Sequence, residues 1–283
     1  MKNKNEFVIN PLTKEELSFF LDDKSKEIVK YFIIKSLFSQ PEPRIGQRRL
    51  PIQVPKEHME QWFTQALNVK PVGSGSYPID IYNERDNWGA DIKMLNIKLD
   101  EQGNVTNSDS GEASLGQNFS DAGNDLDSLF HTKNYESIKN NWVKLFLSKY
   151  EAVKSLYPIK KVYYFFLLRP STQIRGTDFY FCGASVDTDK LNGIEVDEER
   201  TTDNSVYLSG FLSAKYGNTK IYKAKKRLEL RLSPRAWIDD NLTIKIGTSF
   251  VHSFVDLREE NINEKYLENE IKKIQKIKVD FIV

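Results

Sequence analysis

The chain has 283 residues, 39% of them hydrophobic and 29% charged, which is the composition of a folded protein and excludes a disordered one. Its 41 lysines and arginines balance 40 aspartates and glutamates, so the net charge argues neither for nor against a polyanionic partner, and a nucleic-acid surface would have to be a local patch. The single cysteine, Cys182, excludes an intramolecular disulfide framework and a cysteine-rich zinc site.

The sequence has no segment with the features of a membrane span or a signal peptide. Its longest apolar run, residues 162–168, has the length of a strand, whereas a membrane helix needs about 20 apolar residues. The first residues contain no apolar core of signal-peptide length. We therefore expect a cytoplasmic protein with no membrane partner.

The amino-terminal part is predicted to be helical. Thr13 followed by Glu16 forms a capping-box pattern, and apolar residues then recur at helical spacing until two prolines stop them. This pattern predicts one or two helices over residues 13–39. Beyond Pro55, apolar residues recur from Met59 at i, i+3, i+4, i+7 and i+8, which predicts a further amphipathic helix.

The stretch YPIDIYNERDNWGADIKML, residues 77–95, is predicted to form a β-hairpin. β-branched residues flank a central NERDN turn, which is typical of two antiparallel strands. Asp91 and Lys93 are two residues apart on the second strand, so both side chains leave the same face. Asp80 on the first strand can lie beside them. The opposite face then points into the core with Ala90, Ile92 and Met94.

This convergence of charges predicts a metal site. Two carboxylates that lie close together raise one another's pKa unless a cation lies between them. Oxygen ligands alone favour magnesium or manganese over zinc, and a water that magnesium retains can become a nucleophile. Lys93 would lie next to that water, where it can orient it, help to deprotonate it, or stabilise negative charge on a phosphoryl oxygen. The sequence leaves these three roles open.

The remainder of the chain predicts an α/β core followed by further strands. Residues 103–127 are rich in Gly, Ser, Asn and Asp, which predicts a long loop with room for one short helix. A helix over residues 134–157 precedes two buried strands, 161–168 and 179–186. Later segments are predicted to form strands at 206–214, 227–233 and 242–247, and a helix at 263–278.

The hairpin motif resembles that of the PD-(D/E)XK nuclease superfamily, with PID at residues 78–80 and DIK at residues 91–93. The resemblance implies that Asp80 and Asp91 bind the metal, that the main-chain carbonyl of Ile92 is a third ligand, and that Lys93 is the catalytic lysine. It implies Mg²⁺ as cofactor, with Mn²⁺ as a substitute. One departure is the isoleucine between the proline and the first aspartate.

The resemblance also extends to the fold and to accessory residues. It implies a central mixed β-sheet flanked by helices, a restriction-endonuclease-like core, with a β-rich carboxy-terminal elaboration. The family often adds an acid from the preceding helix, for which Glu57 and Glu60 are the candidates, although either can equally be a solvated surface glutamate. Gln117 and Glu112 are candidates for an assisting polar residue beyond the lysine strand.

Two basic stretches, residues 44–50 and 223–235, are candidates for DNA contact. In the second stretch, Arg227, Glu229 and Arg231 share one strand face, which could lay a row of arginines on DNA. The alternative is a solvated edge strand on which charges guard against aggregation. Including the loop between the two buried strands, the candidate contacts are Arg44, Arg48, Arg49, Gln173, Arg175, Lys223, Lys225, Lys226, Arg227 and Arg231.

The size of the chain, with one nuclease motif and no P-loop, resembles a type II restriction endonuclease. We expect a single nuclease domain, with a helical region at 1–54, a catalytic core at 55–186 and the elaboration at 187–283. The resemblance implies a homodimer on double-stranded DNA, the amino-terminal helices as a candidate dimer surface, and a cognate DNA methyltransferase in the host. The alternatives are a non-catalytic nucleic-acid-binding or scaffold protein on the same fold and a structure-specific repair nuclease.

Overall fold

The computed structural model describes residues 6–47, 54, 56–72, 78–117, 125–171, 178–248, 255 and 258–279. The helices are α1 (Lys14–Phe20), α2 (Asp23–Phe38), α3 (Lys56–Ala66), α4 (Leu126–His131), α5 (Tyr135–Leu156), α6 (Pro234–Asp239) and α7 (Glu264–Val279), with a 3₁₀ helix at Thr188–Gly193. The strands are β1 (Ile9–Pro11), β2 (Lys70–Pro71), β3 (Ile81–Asn83), β4 (Trp88–Ile97), β5 (Ala113–Gln117), β6 (Lys161–Pro170), β7 (Asp178–Val186), β8 (Glu195–Val196), β9 (Ser205–Ser209), β10 (Gly217–Tyr222), β11 (Arg227–Leu232) and β12 (Ile244–Gly247).

The strands form two sheets. The central sheet has the order β1-β7-β6-β4-β3-β2, and β12 also pairs with β7. It is mixed, because β4 and β6 are parallel while β3 and β7 run antiparallel to them. Helix α5 forms the crossover that a parallel pair requires. The second sheet is antiparallel, with the order β5-β11-β10-β9-β8.

The hydrophobic core occupies both faces of the central sheet. On one face, Ile92 and Phe165 pack with the apolar sides of helices α1, α2 and α3. On the other face, Tyr164 and Phe166 pack with α5 and with the inward leucines of the second sheet. This double burial confirms the prediction for the strand VYYFFLL. The fold is therefore mixed α/β, with helices covering the central sheet.

Local capping explains where several helices begin. The predicted capping box is present, since Glu16 N–H donates to the Thr13 hydroxyl and Thr13 N–H donates to the Glu16 carboxylate. Asp22 then caps a second helix by accepting from the Ser25 N–H at 2.8 Å, so residues 13–39 form two helices. None of the helices in the described parts of the chain is both long and apolar enough to cross a membrane.

Five strands, β1, β2, β5, β8 and β10, were not predicted from the sequence. The polar segment 103–127 contains β5, which pairs with β11, and β10 was not predicted as a strand. Strand β12 pairs with β7 of the central sheet, so the two sheets draw strands from both sides of the predicted boundary at residue 186. The pairings of β5 with β11 and of β12 with β7 join segments that are distant in sequence, which local patterns do not reveal. Strand β10, in contrast, pairs with its sequence neighbours β9 and β11. The domain boundaries themselves stay a prediction.

Candidate active site

The β3–β4 hairpin positions the first aspartate. Strand β3 pairs with β4 only up to Ile81 opposite Ala90, whereas β4 continues to Ile97. Beyond this point the Asp80 main-chain N–H donates to the Ala90 carbonyl at 2.8 Å, and the Asp80 carboxylate accepts from the Ile92 N–H at 2.7 Å. The side chain of Asp80 therefore replaces the missing strand partner at the edge of β4.

Asp91 and Lys93 leave β4 on the same face, as the alternation predicted. The Lys93 ammonium donates a hydrogen bond to the Asp91 carboxylate. Asp91 is only 6% exposed, and the Lys93 side chain is 20% exposed. On the opposite face Ala90 and Ile92 are buried in the core. The structure thus brings two carboxylates and one ammonium together at a largely buried position.

The surroundings of Asp91 disfavour the ionised form of its carboxyl group. Burial raises the pKa of Asp91 to about 8, and the neighbouring charge of Asp80 adds to the rise, while Lys93 opposes it. Two acids share one lysine, so ionising both leaves a buried excess of negative charge. Such a charge is costly unless a further cation neutralises it.

Lys93 is held in its charged form. Burial alone would lower the pKa of Lys93, but the carboxylates of Asp91, Asp80 and Glu60 outweigh burial and raise that pKa above its usual value. The side chain is therefore an ammonium at neutral pH. An ammonium can donate hydrogen bonds but cannot accept a proton, which disfavours deprotonation of water by Lys93 among the three roles.

Two buried tyrosines lie beneath the acids. Tyr164 of β6 stands directly beside Asp91 in the parallel register, and its hydroxyl lies 2.5 Å from the hydroxyl of Tyr150 on α5. Burial raises the pKa of Tyr164 well above its usual value, and the charges of Tyr150 and Asp91 add to this, so both hydroxyls stay neutral. Sequence reasoning missed this pair, although a tyrosine within an apolar strand beside the motif was its signal.

The accessory candidates have different surroundings. Glu60 is half-buried on α3, and its charge reaches the site because it contributes to the raised pKa of Lys93. The side chains of Glu57 and Gln117 lie outside the described part of the structure. Glu112 belongs to another cluster, in which Lys225, Arg227 and Arg231 donate to its carboxylate.

The donor set of the hairpin fits a hard divalent cation. In a strand, the N–H and C=O of one residue point to the same side, so the Ile92 carbonyl faces the edge at which Asp80 lies. Within the described residues, no three or more His, Cys, Asp or Glu side chains are grouped to hold a metal. Two carboxylates with a carbonyl match the way magnesium is usually held, with waters and substrate phosphates completing its shell.

The predicted DNA contacts lie in three places. Arg44 is exposed after α2. Four further candidates, in the same stretch and in the β6–β7 loop, lie outside the described residues: Arg48, Arg49, Gln173 and Arg175. Around β11, Lys223 lies over the Phe130 ring at 5.6 Å, and Lys226 pairs with Asp127 at 3.6 Å.

Strand β11 has the predicted alternation. Leu228, Leu230 and Leu232 are buried, while the opposite face carries the arginines. These are paired within the protein: Arg227 donates from Nε to buried Glu229 at 2.6 Å, and Arg231 donates to Glu112. Their contact with DNA stays a prediction.

Comparisons of the chain with protein-family models, with curated proteins and with solved structures found no match. Any functional conclusion therefore rests on the residues and on the geometry of the site.

Proposed function

We propose that this protein is a sequence-specific double-stranded DNA endonuclease of the type II restriction class, which hydrolyses phosphodiester bonds with a divalent metal, Mg²⁺ or Mn²⁺. Asp80, Asp91 and the Ile92 carbonyl hold the metal, and Lys93 assists the attacking water. The observation that carries the proposal is a buried carboxylate, Asp91, beside a half-buried one, Asp80, with a single lysine between two negative charges at the edge of a central strand. A second cation is the simplest way to stabilise such a pair.

The arrangement of elements supports a restriction-endonuclease-like core. Helix α3, the β3–β4 hairpin, helix α5 and strands β6 and β7 follow one another in the order expected for that core, and β4 is parallel to β6. Within the proposal, the helix acid that joins the site is Glu60. We also propose a homodimer on DNA, a cytoplasmic location and a host methyltransferase that protects the same sequence.

In this proposal, residues of the hairpin would hold the metal and orient the reactants. Asp80 is held on β4 by the Ile92 N–H, and Asp91 is held by Lys93 on one side and packs above Tyr164 on the other. When bound, Mg²⁺ supplies positive charge that stabilises negative charge on the phosphate. Lys93, as an ammonium, donates a hydrogen bond that orients the water or stabilises a phosphoryl oxygen. The tyrosine pair closes the inner side of the site to bulk water.

A second candidate is supported by the Asp91–Lys93 ion pair itself. A buried ion pair can be purely structural, and a nucleic-acid-binding or scaffold protein on this fold would retain it without catalysis. A structure-specific repair nuclease would use the same residues but would read the shape of DNA instead of its sequence.

Incubation of the purified protein with long unmethylated phage DNA separates these candidates. With Mg²⁺ we expect discrete fragments, and with EDTA we expect none. A smear, or nicking only at branched or damaged sites, would indicate a nuclease that recognises the shape of DNA instead of its sequence. Intact DNA across several substrates with Mg²⁺ and with Mn²⁺ would contradict the nuclease proposal.

A further inference from the structure

The second sheet exposes a face that contains none of the residues of the β4 site. In β9 and β10 the side chains of Val206, Leu208 and Ile221 point into the core, so that Tyr207, Lys220 and Tyr222 point outward by alternation. These outward residues are half-buried. The sheet therefore has one apolar face that is packed and one face that combines aromatic and basic side chains.

Two tyrosines dominate this outward face. Tyr207 lies opposite Lys220 in the antiparallel register, and Tyr222 follows two residues further along β10, which makes the two rings diagonal neighbours. The Lys220 ammonium lies 5.7 Å from the centre of the Tyr207 ring and 4.9 Å from that of Tyr222. The guanidinium of Arg200 lies 4.5 Å from the centre of the Tyr207 ring.

Three cations lie against the two tyrosine rings of this face. Towards β11, Lys225, Arg227 and Arg231 pair with Glu112 or Glu229. Lys225 also lies 5.4 Å from the centre of the Tyr222 ring, and Lys220 is the cross-strand neighbour of Glu229. Residues 197–199 just before Arg200 are acidic, which limits an anionic ligand to the surface between Arg200 and β11.

We propose that Tyr207 and Tyr222, with Arg200 and Lys220, form a binding platform for single-stranded nucleic acid. Stacking on an aromatic side chain contributes roughly 5- to 150-fold in affinity per base, whereas an exposed cation–π contact contributes only about 2- to 5-fold. A base can therefore displace a cation from a ring, and the displaced cation can then pair with the phosphate. Duplex bases are stacked on one another and do not offer their faces to a sheet.

Binding of a single strand to the platform does not require DNA cleavage, because the platform lies on the second sheet and its residues are not those of the β4 site. Its test uses the full chain in EDTA and a fluorescent oligothymidylate of about 15 nucleotides, the upper range for one such surface. Fluorescence anisotropy measures the affinity at several salt concentrations. A hairpin duplex serves as the competing ligand, and thermal melting of each variant verifies that it is folded.

We expect Tyr207→Leu and Tyr222→Leu each to weaken oligothymidylate binding at least about fivefold, whereas Tyr207→Phe and Tyr222→Phe retain the ring and the affinity. Tyr31→Leu, at a half-exposed tyrosine on α2, is the matched control and should bind as wild type. Lys220→Met should reduce the slope of log affinity against log salt by about 0.7, as expected for one lost phosphate contact on a single strand.

Two results would overturn the platform. The first is folded leucine variants that bind the oligonucleotide as tightly as wild type. The second is wild-type protein that binds the hairpin duplex as tightly as the single strand, with both affinities equally affected by the tyrosine substitutions. Loss of DNA cleavage in a β4 variant with unchanged oligothymidylate binding would leave the platform supported and would concern the nuclease proposal alone.

Discussion

Asp91 on β4 and Glu229 on β11 are two buried acids in similar sequence settings with opposite electrostatic outcomes. Each lies on a strand that alternates charged and apolar residues, and the two residues are 6% and 1% exposed. Asp91 has one cation, Lys93, and shares it with Asp80. Glu229 accepts from Arg227 at 2.6 Å and lies 3.6 Å from Lys225. The two sites differ in the number of cations around the acid, although their strands have the same alternation of charged and apolar residues.

This difference indicates which cluster needs a ligand. The β4 cluster has an excess of negative charge and a carbonyl at an open strand edge, so it is suited to a metal. The β11 cluster has more cations than acids and is joined by Glu112 into a connected network. Removing one partner from connected ion pairs of this kind is destabilising, because the remaining charge is left buried and unpaired.

Among single substitutions, the largest expected effect on stability at neutral pH concerns the β11 cluster. Arg227→Met should lower the free energy of unfolding by about 3 kcal/mol, because Glu229 would remain buried without its main partner. Urea denaturation measures the change. Arg235→Met is the matched control, since Arg235 pairs with Asp239 at a half-exposed position on α6, where an ion pair contributes no more than about 1 kcal/mol. Equal losses in the two variants would show that the β11 cluster is not coupled.

The two clusters should respond to pH in opposite directions. In EDTA, burial with Asp80 raises the pKa of Asp91 from 3.8 to about 8, so wild type should lose stability relative to Asp91→Asn as the pH rises from about 4 to about 8. Partial burial raises the pKa of Glu112, but Lys225 and Arg231 outweigh it and lower that pKa from 4.5 to about 2. The advantage of wild type over Glu112→Gln should therefore be complete above about pH 4.5 and disappear towards pH 2.

The difference in free energy of unfolding between wild type and each of these variants should change by at most about 1.4 kcal/mol per pH unit. Urea denaturation of the three proteins across this range measures both. If the two stability differences move in the same direction with pH, then it is wrong that one cluster has too few cations for its acids and that the other has enough.

The smallest expected effect is stabilisation by metal. A cation that binds only the folded chain at ten times its dissociation constant raises the free energy of unfolding by about 1.4 kcal/mol. We expect Mg²⁺ and Ca²⁺ to raise the melting temperature of wild type and of Glu112→Gln, and to leave Asp91→Asn unchanged. An equal rise in Asp91→Asn would locate the bound metal elsewhere.

Patterns with a short period allowed part of the site to be predicted from sequence. The period-2 alternation on β4 placed Asp91 and Lys93 on one face and Ile92 on the other, and the NERDN turn brought Asp80 beside them. These are local relations, fixed by strand geometry and turn chemistry. For the same reason the helices of the core began close to their predicted caps.

The parts that depend on distant partners could not be predicted. The pairing of β5 with β11 decides which acid meets the arginines, and nothing in the polar segment around Glu112 indicates that pairing. The neighbours of Asp91 likewise come from elsewhere, since Tyr164 reaches it through the parallel register and Tyr150 through the packing of α5. Tertiary packing decides such contacts, and one sequence records only the residue types that permit them.

The most direct test of the central claim compares two lysine substitutions in a DNA cleavage assay. Lys93→Met removes the ammonium beside Asp91, and Lys245→Met removes the ammonium that pairs with Asp178 on the same sheet. With Mg²⁺ and long unmethylated DNA, we expect Lys93→Met to reduce the cleavage rate by about a thousandfold or more. Single catalytic side chains typically contribute roughly 10²- to 10⁴-fold to a rate. We expect Lys245→Met to cleave as wild type. Discrete fragments produced by Lys93→Met at the wild-type rate would contradict the claim that the β3–β4 hairpin is the active site.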